Sequence, residues 1–292
     1  MSSLDRSGIS FTILNVAGPR RAELLQYIDL EVDAPNWPKV VNMEEKVDNL
    51  IALNGNKEVK EVKDFAAEDD DETKSLRFTL RKICDRLSKK AGIFYDYGKY
   101  VSNRYFGKAV SKAAKAIKEE LNSYDLQNNL QASIHKLAAT FADRFGGETG
   151  PLLGAFLARA ATKLNNELSK NTLADWTAAY KEGLNAIQEI LEADKGDRTI
   201  LDALIPGLEY IERLDKKNTQ INLKDLAAAV TSGADYAKTQ KASKGKSAYL
   251  GVKVVGMADP ACEMMAFIFK TLSEVDENKD KWNHNFIMNN NC

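Results

Sequence analysis

Three stretches of this chain place small residues, a hydroxyl and charged groups directly ahead of apolar, helix-forming sequence: "FGGETGPLLG" at 145–154, "GDRTILDALIP" at 196–206 and "KGKSAYLGVKVVGMADPACEM" at 244–264. The start of a helix leaves its first backbone N–H groups unpaired and carries the positive end of the helix dipole, so each stretch is suited to holding an anion. The same residues also serve as plain caps or close-packing devices, and one stretch by itself does not separate the two uses. "GKS" at 245–247 is not a Walker A loop, because that motif requires glycine where Gln240 stands.

Other reactive residue types carry little. Cys84, Cys262 and Cys292 are scattered without CxxC spacing, so neither a disulfide framework nor a zinc knuckle is encoded and the thiols read as structural. His135 falls within an amphipathic helical pattern and His284 in a polar tail, neither beside a nucleophile or a metal-ligand partner. The acidic run at 68–72 reads as a solvated segment.

The elements that must position the glycine-rich stretches are helices. With 292 residues, 44% of them apolar and 28% charged, the chain can bury a sizeable core. A net charge of -1 argues against nucleic acid or an anionic membrane surface as partner. Apolar runs such as "LLGAFLARAA" at 152–161 are too short to span a bilayer, and "MSSLDRSGIS" lacks the plan of a secretory signal, so a cytoplasmic protein is expected. Residues 1–55 read as a strand-helix segment, with "ISFTILNV" at 9–16 as the strand, whose unpaired edges favour a homo-oligomer. An acidic linker follows at 56–74, then a helical domain at 75–275 with about eight amphipathic segments, then a polar tail at 276–292. The domain is therefore expected to be all-α.

Together and in this order, the three stretches resemble the ATP-binding domain of the dihydroxyacetone kinases, whose hallmarks GG-x-[ST]-G-x-L-x-G, GD-[KR]-T-x-LD-[AS]-L and G-[RK]-[AS]-S-Y-[LI]…DPGA match Gly146–Gly154, Gly196–Leu204 and Gly245–Pro260. The resemblance covers residues 75–275, and the first residues look like the end of the substrate-binding domain that precedes it. It implies a barrel of eight antiparallel helices whose loops at one end hold ATP through two magnesium ions. On this pattern Gly146, Gly147, Thr149, Gly150, Thr199, Lys246 and Asp259 are the nucleotide-loop positions. The family holds its metals with an aspartate followed five residues later by the first aspartate of a GDGDxG loop. Those positions fall on Gly98, Asn103 and Tyr105, so the carboxylates are replaced, no metal site is expected, and ATP and magnesium are disfavoured as cofactors. Ala261 and Cys262 also stand where the family keeps a small turn.

From this pattern a non-catalytic barrel with no catalytic residue is expected, a pseudokinase that binds a lipid-like or other hydrophobic small molecule. The alternative is a divergent kinase or an ATP-binding regulatory subunit. The apolar pocket candidates are Tyr105, Phe106, Leu153, Phe156, Leu157, Leu204, Met264 and Phe267. The same stripe also reads as ordinary packed core, and the aromatic residues near 94–106 as a lid or as a plug over the replaced metal loop.

Overall fold

The structure, a computed structural model, describes residues 63–101, 104–215, 221–245 and 247–277. They belong to one compact unit, Val62–Cys292; the other unit, Met1–Glu61, lies outside the described residues, and with it the expected strand at 9–16 and the oligomer contact assigned to it. The described residues are helical with no strand among them, as the periodicity predicts.

The acidic run opens the first helix. In α1 (Asp71–Lys89) the Asp70 side chain accepts the Thr73 N–H at 2.7 Å, Asp71 and Glu72 sit in the first turn, and Arg86 and Lys89 sit in the last, complementing both ends of the helix dipole. Asp69 is buried against Arg77, whose Nε and Nη2 donate to its two carboxylate oxygens at 2.6 and 2.9 Å. Arg77 also donates to the carbonyls of Leu121 and Tyr124, so one guanidinium joins the start of α1 to the turn that follows α3.

The remaining elements are α2 (Ala91–Lys99), α3 (Phe106–Glu120), α4 (Leu130–Arg144), α5 (Thr149–Ala161), α6 (Leu173–Leu191), α7 (Ile200–Asp215), α8 (Leu223–Thr239) and α9 (Pro260–Glu277). A capping box between Thr172 and Asp175 starts α6, and the Asn222 side chain caps α8 by accepting the Lys224 N–H. Neighbours in sequence pack on each other from α3 through α9, and α9 returns to pack on α1 and α2. Two crossings are close enough to require glycine. A Cβ on Gly107 would lie 2.1 Å from the Ala91 carbonyl oxygen, and one on Gly233 would lie 2.2 Å from that of Asp202.

The main core draws on α1 to α9 and includes Leu87, Phe94, Val110, Leu153, Leu204 and Met264. A second cluster, including Leu121, Tyr124, Leu130, Leu164 and Leu168, fills the end of the bundle where α3 and α5 finish. At the other end a small cluster of Val101, Ala242 and Val254, with Leu250 against it, fastens the segment after α2 to the short 3₁₀ stretch Ala248–Val254. No helix among the described residues is long and apolar enough to cross a membrane.

Candidate functional site

A cleft opens at the end of the bundle where α3, α5, α7 and α9 begin, and Phe106, Thr149, Ile200 and Pro260, the first residues of those helices, line it. Four helix N-termini thus face one space, which concentrates positive dipole ends there. Val101 beyond α2 and Leu191 at the end of α6 complete the apolar wall.

Each glycine-rich stretch builds one side. Ahead of α5, Gly146 and Gly147 take left-handed φ values of 69° and 68°, which brings the chain sharply into the helix. Gly150 does a different job: a Cβ there would lie 2.8 Å from the Phe141 carbonyl oxygen, so it lets α5 pack on α4 and is not a lining residue. Before α7, the buried Asp202 carboxylate accepts the N–H groups of Gly196 and Thr199 at 2.6 and 2.8 Å, folding residues 196–199 back over the helix start. Burial pushes this carboxyl above its ordinary value, against the pull of those two N–H groups.

The third stretch is tied to the second. The Ser243 hydroxyl donates to Asp197 at 2.5 Å, the Cys262 thiol donates to the Thr199 carbonyl at 2.9 Å, and Arg198 Nη2 donates to the Met257 carbonyl at 2.9 Å. Ser247 reaches across to the Val101 carbonyl at 3.1 Å, which fixes the loop after α2 against the same end. At the start of α9, Asp259 Oδ1 accepts the N–H groups of Ala261 and Cys262 at 3.0 Å each, while Oδ2 stands 4.0 Å from Arg198 Nη1. Burial also pushes the Asp259 carboxyl upward, with the Cys262 N–H and the Arg198 charge opposing it.

Of the residues expected at the nucleotide loops, Thr149, Thr199 and Asp259 line the cleft, and Gly146 and Gly147 shape the approach to α5. Lys246 lies outside the described residues. At the turn where the family keeps small residues, Cys262 is fully buried, bonded to Thr199 and not a lining residue, whereas Ala261 lines the cleft. Four lining residues with polar or charged side chains were not among the expected site residues: Glu148, Arg198, Lys244 and Ser247. Arg198 sits inside the GDRT stretch and Ser247 inside GKS, so the motif was the available signal for both.

Of the positions aligned with the family's metal loop in the sequence reading, Gly98 is buried near the end of α2, Tyr105 is 77% exposed at the N-cap of α3, and Asn103 lies outside the described residues. No group of three or more His, Cys, Asp or Glu side chains arranged to hold a metal occurs among the described residues. The carboxylates lining the cleft are Glu148 and Asp259.

The apolar candidates separate. Leu153, Phe156, Leu157 and Met264 line a cavity of about 200 Å³ inside the bundle, enclosed almost wholly by apolar side chains such as Leu80, Val110 and Ile268. Phe106 belongs to the cleft, Leu204 is packed core, Phe267 stacks edge-on against Phe94, and Tyr105 points outward.

A profile of the DAK2 domain matches residues 106–274. The chain is 29% identical over 285 residues to human triokinase/FMN cyclase, covering 94% of this chain and 47% of that protein. It is 26% identical over 297 residues to a probable dihydroxyacetone kinase of Dictyostelium discoideum, covering 94% of this chain and 45% of that one. Against the ADP-binding subunit DhaL of the PEP-dependent dihydroxyacetone kinase of Escherichia coli it is 28% identical over 173 residues, or 59% of this chain and 78% of the subunit. The chain thus spans under half the length of the first two relatives. In fold it is similar to the dihydroxyacetone kinase of C. freundii, with a TM-score of 0.57 at 22% identity, covering 86% of this chain and 42% of that one.

These relatives overturn the expectation of a pseudokinase that binds a hydrophobic small molecule: proteins 26–29% identical over 94% of the chain are named as kinases, which points to an enzyme family. The apolar cavity is a feature of the core, and its size does not outweigh that relationship. The cleft built by the glycine-rich loops lies at the helix starts within the profile's span, and the profile takes in more than half the chain: it belongs to the DAK2 domain family.

Proposed function

We propose that this chain is the nucleotide-binding part of a divergent dihydroxyacetone kinase, or a nucleotide-binding subunit serving one. The observation that carries the reading is the convergence of four helix N-termini on one cleft that also receives Arg198, Lys244 and the hydroxyl-bearing Thr149, Thr199 and Ser247. Such a site recognises a phosphate chain through backbone N–H groups, hydroxyls and charge, while the wall of Val101, Leu152 and Leu191 offers apolar contact to a base. Two relatives support it by name, one an ADP-binding subunit and the other a kinase solved with AMP-PNP and Mg2+. The replacement of the family's metal-loop aspartates at Gly98, Asn103 and Tyr105 is part of this reading, and it is what makes the chain divergent.

The phosphoryl acceptor is proposed to be a small triose, by the names of the relatives, held on polypeptide that corresponds to the part of those relatives lying beyond the match. Equilibrium titration of the full chain with ADP tests the reading. Saturation at one nucleotide per chain, abolished by crowding the cleft through Thr199→Trp, is the expected result. No binding up to about 1 mM ADP, whether or not magnesium is present, would refute it.

A further inference from the structure

Among the described residues, the helix-start cleft lacks the ligand set that two magnesium ions need. Its described carboxylates are Glu148 and Asp259. Asp259 caps α9 with one oxygen and faces the Arg198 guanidinium with the other, so a dication reaching for it would meet a fixed positive charge. Magnesium demands near-octahedral oxygen donors, and one committed carboxylate and one further carboxylate do not supply a paired site.

Arg198 stands where positive charge would otherwise be needed. Its side chain is 0% exposed, yet its Nε and Nη1 have no hydrogen-bond partner, and Nη2 alone donates to the Met257 carbonyl. Buried donors without acceptors are costly, and a guanidinium most of all. The backbone beneath it is also strained, with φ at 59° in a residue that carries a Cβ. The unpaired donors are answered by an anion in the cleft that Arg198 lines, since a guanidinium is always charged and offers paired donors in the geometry of a phosphate. Lys244 lines the same cleft and adds a second charge.

We propose that Arg198 takes over the charge-neutralising role of a metal, so that the cleft binds the phosphate chain of a nucleoside diphosphate or triphosphate without a divalent cation. This rests on the nucleotide reading above and goes beyond it. Glu148 is then a like-charged neighbour of the bound phosphates, and it is not a metal ligand.

Calorimetric titration of the full chain with ADP, once in excess EDTA and once in excess magnesium, tests it with the variants Glu148→Gln and Arg198→Met. The affinities in the two buffers are expected to agree within about threefold, less than one charge-assisted hydrogen bond. Glu148→Gln tightens binding in EDTA by removing repulsion. Arg198→Met weakens it roughly ten- to hundredfold, the loss of charge-assisted hydrogen bonds. Should Arg198→Met fail to fold, the buffer comparison and the direction of the Glu148→Gln effect still decide. Binding that strengthens more than about tenfold with magnesium and weakens in Glu148→Gln would overturn the proposal while leaving the nucleotide reading intact. Absence of binding in both buffers would instead sink the nucleotide reading itself, and the proposal with it.

Discussion

Replacing Asp69 by alanine isolates one buried charge. In the native protein the Arg77 and Asp69 side chains are 5% and 3% exposed and make a two-pronged contact at 2.6 and 2.9 Å. Without Asp69 the guanidinium keeps its two carbonyl acceptors at Leu121 and Tyr124 but loses its counter-charge in a place water does not reach. Breaking a buried pair from one side costs about 3–5 kcal/mol, several times what an exposed pair contributes. In a unit of this size each kcal/mol moves the melting midpoint by about 2–4 °C, so the variant should melt roughly 6–20 °C lower. Thermal and urea unfolding followed by circular dichroism measure this, with an unchanged urea slope showing that the same surface unfolds. The double variant Asp69→Ala with Arg77→Met should lose less than the two single losses added, because the orphaned charge goes with its partner. A single-variant loss below about 1 kcal/mol would refute the reasoning, and would return the acidic run to the status of a solvated linker.

Three other changes test other joints of the structure. Gly233→Ala would gain about 1 kcal/mol of helix propensity in isolation, yet its Cβ would meet the Asp202 carbonyl oxygen at 2.2 Å, so urea unfolding should show a net loss of about 1–3 kcal/mol; a stabilised variant would mean that α7 and α8 separate freely. Leu153→Ala, on the wall of the apolar cavity, enlarges an existing void and should cost about 2–5 kcal/mol, whereas Ala113→Val on the same wall should cost nothing or stabilise, and equal losses from both would contradict the cavity. Burial pushes the Cys84 thiol up to about 12, so iodoacetamide at mildly alkaline pH should leave Cys84 unmodified in the folded protein and label it in urea, read by peptide mass spectrometry. The same shift has a sign for stability: the folded thiol keeps its proton where the unfolded one releases it, so stability falls as pH rises from the ordinary thiol value toward about 12.

The helices were legible wherever apolar spacing ran uninterrupted. "YFGKAVSKAAKAIKEEL" became α3 and "NLQASIHKLAATFADRF" became α4, within a residue or two at each end. What composition hid was the start of α1: five acidic residues in a row look solvated, and only the tertiary position of Arg77, eight residues beyond Asp69, turns one of them into a buried partner. The first helical segment ends at Ala91 in the sequence, before Gly92, but the short α2 that follows was hidden, because its 9 residues are too few to establish an apolar period. In the cleft, the motif spacing located Thr149, Thr199 and Asp259. It gave no hint that Gly150 serves packing, or that Arg198 is buried, since both facts depend on which helix lies behind the loop.

On the proposed reading, replacement of one loop's carboxylates need not unmake the site. Helix dipoles and N–H groups at α3, α5, α7 and α9 arise from the bundle itself, and Asp202 and Asp259 are spent on holding two of those helix starts in place. The anion-attracting field of the helix starts is therefore written into the scaffold. On the proposed reading, substitution in the loop between α2 and α3 changes which charge neutralises bound phosphates and leaves the helix starts where they are. A guanidinium already buried at the centre of that field, strained in its backbone and short of acceptors, is the residue on which such a change of neutralising charge would fall.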